Sequence, residues 1–355
     1  MNVLLFFVLL LVLLMLPFVP GMMELRRKQD AEPLRVVRNY EVNVMHFANR
    51  FREFIDTQFG QDLETVQNQA QTKPGKLDNG SEYCVLGPDM AIPFEEAENR
   101  SQETNRMFLA ASDLSLSGNM RYLNELYANG TITGADESTY RAMLAGADIR
   151  LGQNSTLLRW MHAKDIQIAS GGVMYGRVSA DRRIVITGPS RFQRLNAPQI
   201  LFGKNMPPEQ TGPARQEIQP EDLTVKVEEA VGRWLIEDDL ELADNSRIHA
   251  SLVVTGNLRL GNNCEIYGSI KSHKPLHIQE GCIIHGSVVS VQDIHIGAGA
   301  SIMGPLISEA NIHIASNCRL GADSAPTTIS AQEIHFQPDC VVHGTVWARS
   351  AGTLS

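Results

Sequence analysis

Residues 288–308 read VVSVQDIHIGAGASIMGPLIS, and near-copies flank them: KSHKPLHIQEGCIIHGSVVS over 271–290 and SEANIHIASNCRLGA over 308–322. The apolar positions fit neither a helix face nor one simple strand. The recurring unit is a pair of apolar residues with one residue between them. It falls at Leu240/Leu242, Leu258/Leu260, Leu276/Ile278, Ile294/Ile296, Ile312/Ile314 and Ile334/Phe336, in steps of 18, 18, 18, 18 and 22 residues. Eight positions after each pair begins stands an aliphatic residue: Ile248, Ile266, Ile284, Ile302, Leu320 and Val342. Ten positions after it stands glycine or alanine, from Ala250 through Gly268, Gly286, Gly304 and Ala322 to Gly344. Three columns kept in register over six units mark an internal repeat.

Within one unit, Leu258, Leu260, Cys264, Ile266, Gly268 and Ile270 alternate with other residues, apart from one break at Gly261-Asn262-Asn263. Alternation by two assigns one set to one face of a strand. Glycine and asparagine tolerate positive φ, so the break is a corner. Short strands and corners repeated at one pitch predict a parallel β-helix solenoid of about 16–22-residue turns, stacked roughly 4.8 Å apart. One turn cannot bury its aliphatic face alone; stacked turns make a continuous core. A fainter copy runs upstream through Leu114/Leu116, Ile132, Ile149/Leu151, Ile166/Ile168, Ile184/Ile186 and Ile200/Phe202. Two blocks are therefore expected, 112–203 and 233–350, with an insertion rich in Pro, Gly and charge at 204–232 and a tail at 351–355.

Ahead of the repeats, residues 1–23 carry no charged side chain, and Arg26, Arg27 and Lys28 follow directly. About 20 apolar residues span a bilayer core. The basic flank then predicts an uncleaved single-pass helix with the bulk of the chain on the cytoplasmic side. Nothing basic precedes the run, which argues against a cleaved signal peptide. Residues 24–111 read as a juxtamembrane helix and linker. Val37, Tyr40, Val44, Phe47, Phe51 and Phe54 form a stripe that suits a coiled coil, a membrane-surface helix or a cap on the first turn. Residues 60–82 read as a flexible linker. The formal net charge of −9 argues against nucleic acid as a partner. The five cysteines include no CxxC spacing and fit a reducing compartment.

Two stacked columns invite a chemical reading. Ser246, Cys264, Cys282, Ala300, Cys318 and Cys340 fall on the inward phase, where free cysteine packs as a small hydrophobe. Glu241, Arg259, His277, His295, His313 and His335 fall on the outward phase, beside a second run that includes His249, Tyr267, His285 and His343. Outward imidazoles on adjacent turns either tolerate solvent or charge together near pH 6. No carboxylate column joins them at ligand spacing, so no metal site, cofactor or catalytic residue is nominated. A hexapeptide-repeat acyltransferase is the enzymatic alternative, because 18 is three sixes. In that reading His285 or His295 would be the base. Ser272, Ser290 and Ser308 break the six-residue beat, and Ile270, Val288 and Leu306 sit where small residues belong. A periplasmic β-helix that binds or modifies polysaccharide is a further alternative, requiring the opposite topology.

The units GNLRLGNNCEIYGSIKS, KPLHIQEGCIIHGSVVS and QDIHIGAGASIMGPLIS resemble the repeat of bactofilins, the polymer-forming bacterial cytoskeletal proteins. The resemblance is clear over 233–350 and fainter over 112–203. It implies a right-handed β-helix that joins end to end into non-polar filaments without nucleotide. Such filaments lie under the inner membrane and scaffold envelope or polysaccharide synthesis proteins. The second block and the membrane anchor depart from the family pattern. The last turn, CVVHGTVWARSAGTLS, ends on Val342, Val346 and Trp347 with only a short tail. An uncapped β-helix end invites pairing, which makes these three residues the candidate self-association end. Trp347 capping its own core is the alternative.

Overall fold

In a computed structural model of the chain, the described residues are 45–69, 71–208 and 213–355, all in one contact unit. The anchor expected at 1–23 and the stripe residues Val37, Tyr40 and Val44 lie outside them. Among the described residues no helix is long and apolar enough to cross a membrane.

The repeats form a parallel β-solenoid of about 14 turns. In the second block each turn lays down three short strands. Leu258–Leu260 stacks between Leu240–Leu242 and Leu276–Ile278. Glu265–Ile266 stacks between Ser246–Ile248 and Ile283–Ile284. Ile270–Ser272 stacks between Ser251–Val254 and Val288–Ser290. The paired aliphatic residues and those eight positions on are buried in both blocks, from Leu114 and Tyr122 to Ile334 and Val342. The serines that break the six-residue beat are buried too. Ser272 Oγ donates to the Lys274 carbonyl at 2.8 Å, and Ser308 Oγ to that of Gln292 at 2.7 Å. A hydroxyl there satisfies a corner carbonyl that an aliphatic side chain would leave unpaired.

In each turn the same corner is closed by a residue in the left-handed conformation: Asn245, Asn263, Gly281, Gly299, Asn317 and Asp339, with φ between 61° and 67° except Asn263 at 56°. The first block does the same at Asn119, Glu137, Asn154 and Gly171. The small-residue column has a different cause. A Cβ on Gly286 would lie 2.4 Å from the Gly268 carbonyl oxygen, and one on Gly304 2.6 Å from the Gly286 carbonyl carbon. Neighbouring turns touch there backbone to backbone.

The first block begins earlier than its sequence pattern indicates. Glu82–Leu86 pairs in parallel with Met107–Ala110, which pairs in turn with Arg121–Ala128. The described residues of the linker expected over 60–82 form regular structure. Its first part completes the helix His46–Gln69, and Thr72–Lys76 then forms an antiparallel hairpin with Glu82–Leu86. The helix lies along the side of the first block, not over its end. Ala48, Ile55, Phe59, Leu63 and Val66 pack on the outward residues Val85, Leu109, Tyr127, Leu144 and Trp160 in a second core. Those outward positions are apolar because the helix covers them, which blurs the alternation that is clear in the second block. The polar residues between Ile55, Phe59, Leu63 and Val66 conceal the helix in a segment that otherwise resembles a linker.

The insertion at 204–232 is also partly structured. Gln216–Glu217 adds to Ser246–Ile248, and Val227–Ala230 forms a hairpin with Arg233–Ile236. Leu223 and Val225 pack against the solenoid core.

Candidate functional site: the seam and the polar columns

The expected open end is paired within the chain. The last strand, Cys340–Leu354, runs antiparallel to Ser190–Phe202, the last strand of the first block. Val342 stands opposite Ile200, Val346 opposite Leu195 and Trp347 opposite Arg194. Val342 and Val346 are fully buried, while Trp347 keeps 42 % of its surface exposed. Trp347 therefore does not cap the core; its ring lies under the Arg194 guanidinium, 4.3 Å from Cζ to the centroid. Phe202 stacks on Phe336 at 3.9 Å and 10°, and Asn196 Nδ2 donates to Thr345 Oγ1 at 2.7 Å. Asp339 receives the backbone N–H groups of Lys204 and Asn205 at 3.2 and 3.0 Å. The two blocks thus abut by their final turns and share one hydrophobic core. Backbone pairing is indifferent to which chain segment supplies the second edge, so nothing in the sequence repeat announced the partner.

The histidine column stacks face to face. His277, His295, His313 and His335 follow one another at centroid spacings of 4.7, 4.7 and 4.8 Å. Burial, then the neighbouring ring on the His335 side, holds His277, His295 and His313 below the ordinary imidazole range. Zinc–imidazole bonds are about 2.0–2.1 Å long and lie in the ring plane. Parallel rings this far apart aim their lone pairs side by side, so one ion cannot join two neighbours without ring rotation. Among the described residues no group of three or more His, Cys, Asp or Glu is placed to hold a metal ion.

The cysteine column is buried and free of disulfides. Cys264, Cys282, Cys318 and Cys340 donate weakly to the carbonyls of Ala243, Gly261, Gly297 and Ala315 at 3.0–3.3 Å. The column closes corners as Ser246 does, with Oγ 2.7 Å from the Ala243 carbonyl.

A buried ion-pair cluster centres on Glu265, whose side chain is 7 % exposed. Its carboxylate accepts from Arg215 Nη1 at 3.2 Å and Arg247 Nε at 3.0 Å, and lies 3.1 Å from His285 Nε2. Burial pushes this carboxyl up, but the hydrogen bonds from His285 and Tyr267 and the nearby guanidinium groups outweigh it and hold it below the usual range. Tyr267 is sandwiched between His249 and His285 at 4.5 and 4.3 Å. Arg247 stands opposite Glu265 on the preceding turn, whereas Arg215 comes from the insertion. Of the two candidate bases, His285 has Nε2 engaged by Glu265, and both ring faces of His295 are covered by neighbours.

Around the seam, Phe47, Leu158, Arg159, Trp160, Tyr175, Arg177 and Arg194 line a groove of about 280 Å³ that has no carboxylate in its wall. Arg177 lies over the Phe47 ring at 5.3 Å. Burial and the adjacent Arg177 charge hold Arg194 below its usual range.

These features define a two-block parallel β-solenoid protein closed on itself at one seam. No protein-family model, curated protein or solved structure matches the sequence.

Proposed function

We propose that this protein is a membrane-tethered scaffold of the bactofilin kind. Its β-helix is right-handed, the N-terminal apolar run holds it at a bacterial inner membrane, and the solenoid stands on the cytoplasmic side. There it docks proteins of envelope or polysaccharide synthesis along its regular surface. The observation that supports this reading is the seam: solenoid ends of this sequence continue one another end to end, as polymer-forming rods must. Here one chain supplies both halves of the join, Leu195 against Val346 and Ile200 against Val342. Each chain is therefore equivalent to an end-to-end pair.

The outer ends govern any further self-assembly. The edge strand Thr72–Lys76 carries Lys73, Pro74 and Lys76, residue types that discourage strand addition. The opposite hairpin presents Glu228 and Glu229, so two such ends repel. Like ends therefore do not join, and the unit taken to act on the membrane is the single rod.

Negative-stain electron microscopy of the full chain in detergent tests this. Single rods roughly 65–70 Å long, about 14 turns at ~4.8 Å, are expected. Long filaments would mean that the outer ends also join. Compact trimers that bind an acyl donor would overturn the scaffold in favour of a transferase.

A further inference from the structure

One face of the solenoid differs from the rest in charge. On the sheet that passes through the seam, outward positions stack as Leu235, Val253, Lys271, Val289, Ile307 and Ser330. The stack crosses the seam as Trp347, Arg194, Arg177 and Trp160. The adjacent outward column holds only small uncharged residues over most of this length, among them Ser251, Ser269, Thr328, Thr345 and Asn196. Neither column contains Asp or Glu between Leu235 and Trp160, in a chain of formal net charge −9.

We propose that this face rests on an anionic membrane surface. Phosphate headgroups take Arg159, Arg177 and Arg194, and the exposed side chains of Leu158, Tyr175 and Trp347 enter the interfacial layer. Three observations favour a lipid surface. An acidic protein is repelled by an anionic bilayer except where it presents cations without carboxylates. Half-exposed aromatic rings beside arginines suit the headgroup region, where one end of each side chain is apolar and the other wet. Finally, Phe47 lies in the groove beneath Arg177 and adds a further apolar ring to this face. The N-terminal anchor attaches the chain; this face sets how the solenoid lies on the bilayer. The proposal relies on the tethering reading only for delivery to the bilayer.

The full chain is mixed with phosphatidylcholine vesicles, with or without one third phosphatidylglycerol, each carrying lipids brominated near the glycerol backbone. Trp234 is buried and Trp160 only grazes the groove surface, so Trp347 is the main reporter. Quenching is expected in the anionic vesicles and not in the neutral ones. It should fall roughly tenfold or more in R177E/R194E and drop to the small share of Trp160 in Trp347→Phe. If R177E/R194E unfolds, Arg159→Gln and Lys271→Gln, on exposed positions, carry the same test with a smaller loss. Equal quenching in both lipids, or quenching that survives charge removal, overturns the proposal. So does a lipid-independent Trp347 change that follows protein concentration, which assigns the face to a second copy. Failure to float with neutral vesicles would sink the anchor alone, because the face would still bind anionic ones.

Discussion

Leu195 and Val346 lie directly opposite each other across an antiparallel seam, both fully buried, though they belong to different blocks. On either side of this pair the strands run parallel, so the solenoid reverses its chain direction here without interrupting its core. Burying an unpaired carboxylate at this point costs several kcal/mol. Val346→Asp should lower stability by about 3–5 kcal/mol, read from the urea midpoint. Leu195→Ala alone should cost about 2–5 kcal/mol, and Leu195→Ala with Val346→Ala should show a non-additive coupling of about 0.5–3 kcal/mol. Additive effects would mean that the blocks do not share this core in solution.

Glu137 occupies a corner at φ 56°, where Asn119 and Asn154 stand one turn away on either side. A long side chain gains nothing from the left-handed conformation, whereas asparagine and glycine tolerate it. Glu137→Asn should stabilise the protein by about 0.5–1 kcal/mol, with the urea m-value unchanged. A destabilised variant would show that the carboxylate makes a contact worth more than the backbone strain.

Gly286 has no room for a methyl group, since its Cβ would meet the Gly268 carbonyl at 2.4 Å. Gly286→Ala should cost about 1–3 kcal/mol as neighbouring turns are forced apart. Gly60, on the helix, has open space where a Cβ would stand, with nothing within 4 Å; Gly60→Ala should be neutral or stabilising by up to about 1 kcal/mol. Thermal melts of the two variants separate a stacking constraint from a general intolerance of alanine.

The imidazole ladder makes stability depend on pH. His277, His295 and His313 have folded-state pKa values below the unfolded value of about 6.5. The unfolded chain therefore binds protons first as pH falls. Stability is complete above about 6.5 and declines from there down through the lowered folded values. Urea midpoints at pH 7.5 and pH 5 should differ, and His295→Gln should shrink the difference by removing the middle ring. Glu265 contributes in the same direction at lower pH, because its depressed carboxyl loses its partners when protonated. A midpoint that is flat across this range would show that the rings separate freely on charging.

The repeat period, the inward aliphatic columns, the asparagine corners and the buried cysteines were legible in the sequence, and the column from Glu241 through His277, His295 and His313 to His335 was placed on the outward face. Each of these depends on a turn meeting the turn 16–22 residues away, so one local pitch writes itself as a periodic pattern. The start of the first block was obscured, because Leu109, Tyr127 and Leu144 are apolar on their outward side where the helix His46–Gln69 covers them. Alternation fails as a signal when both faces are buried.

What the sequence alone determined is a solenoid, with its pitch, its inside and its outside. Only the tertiary structure decided where that solenoid ends. Asn196 and Thr345, hydrogen-bonded at the seam, are 149 residues apart. They meet through backbone edges that carry the same N–H and C=O groups in every strand, so no side-chain pattern records the choice. The same holds for Arg215, brought from the insertion to Glu265, and for the helix laid along the first block. Contacts within the pitch are written in the repeat; contacts beyond it are set by which exposed edge or apolar face remains to be covered.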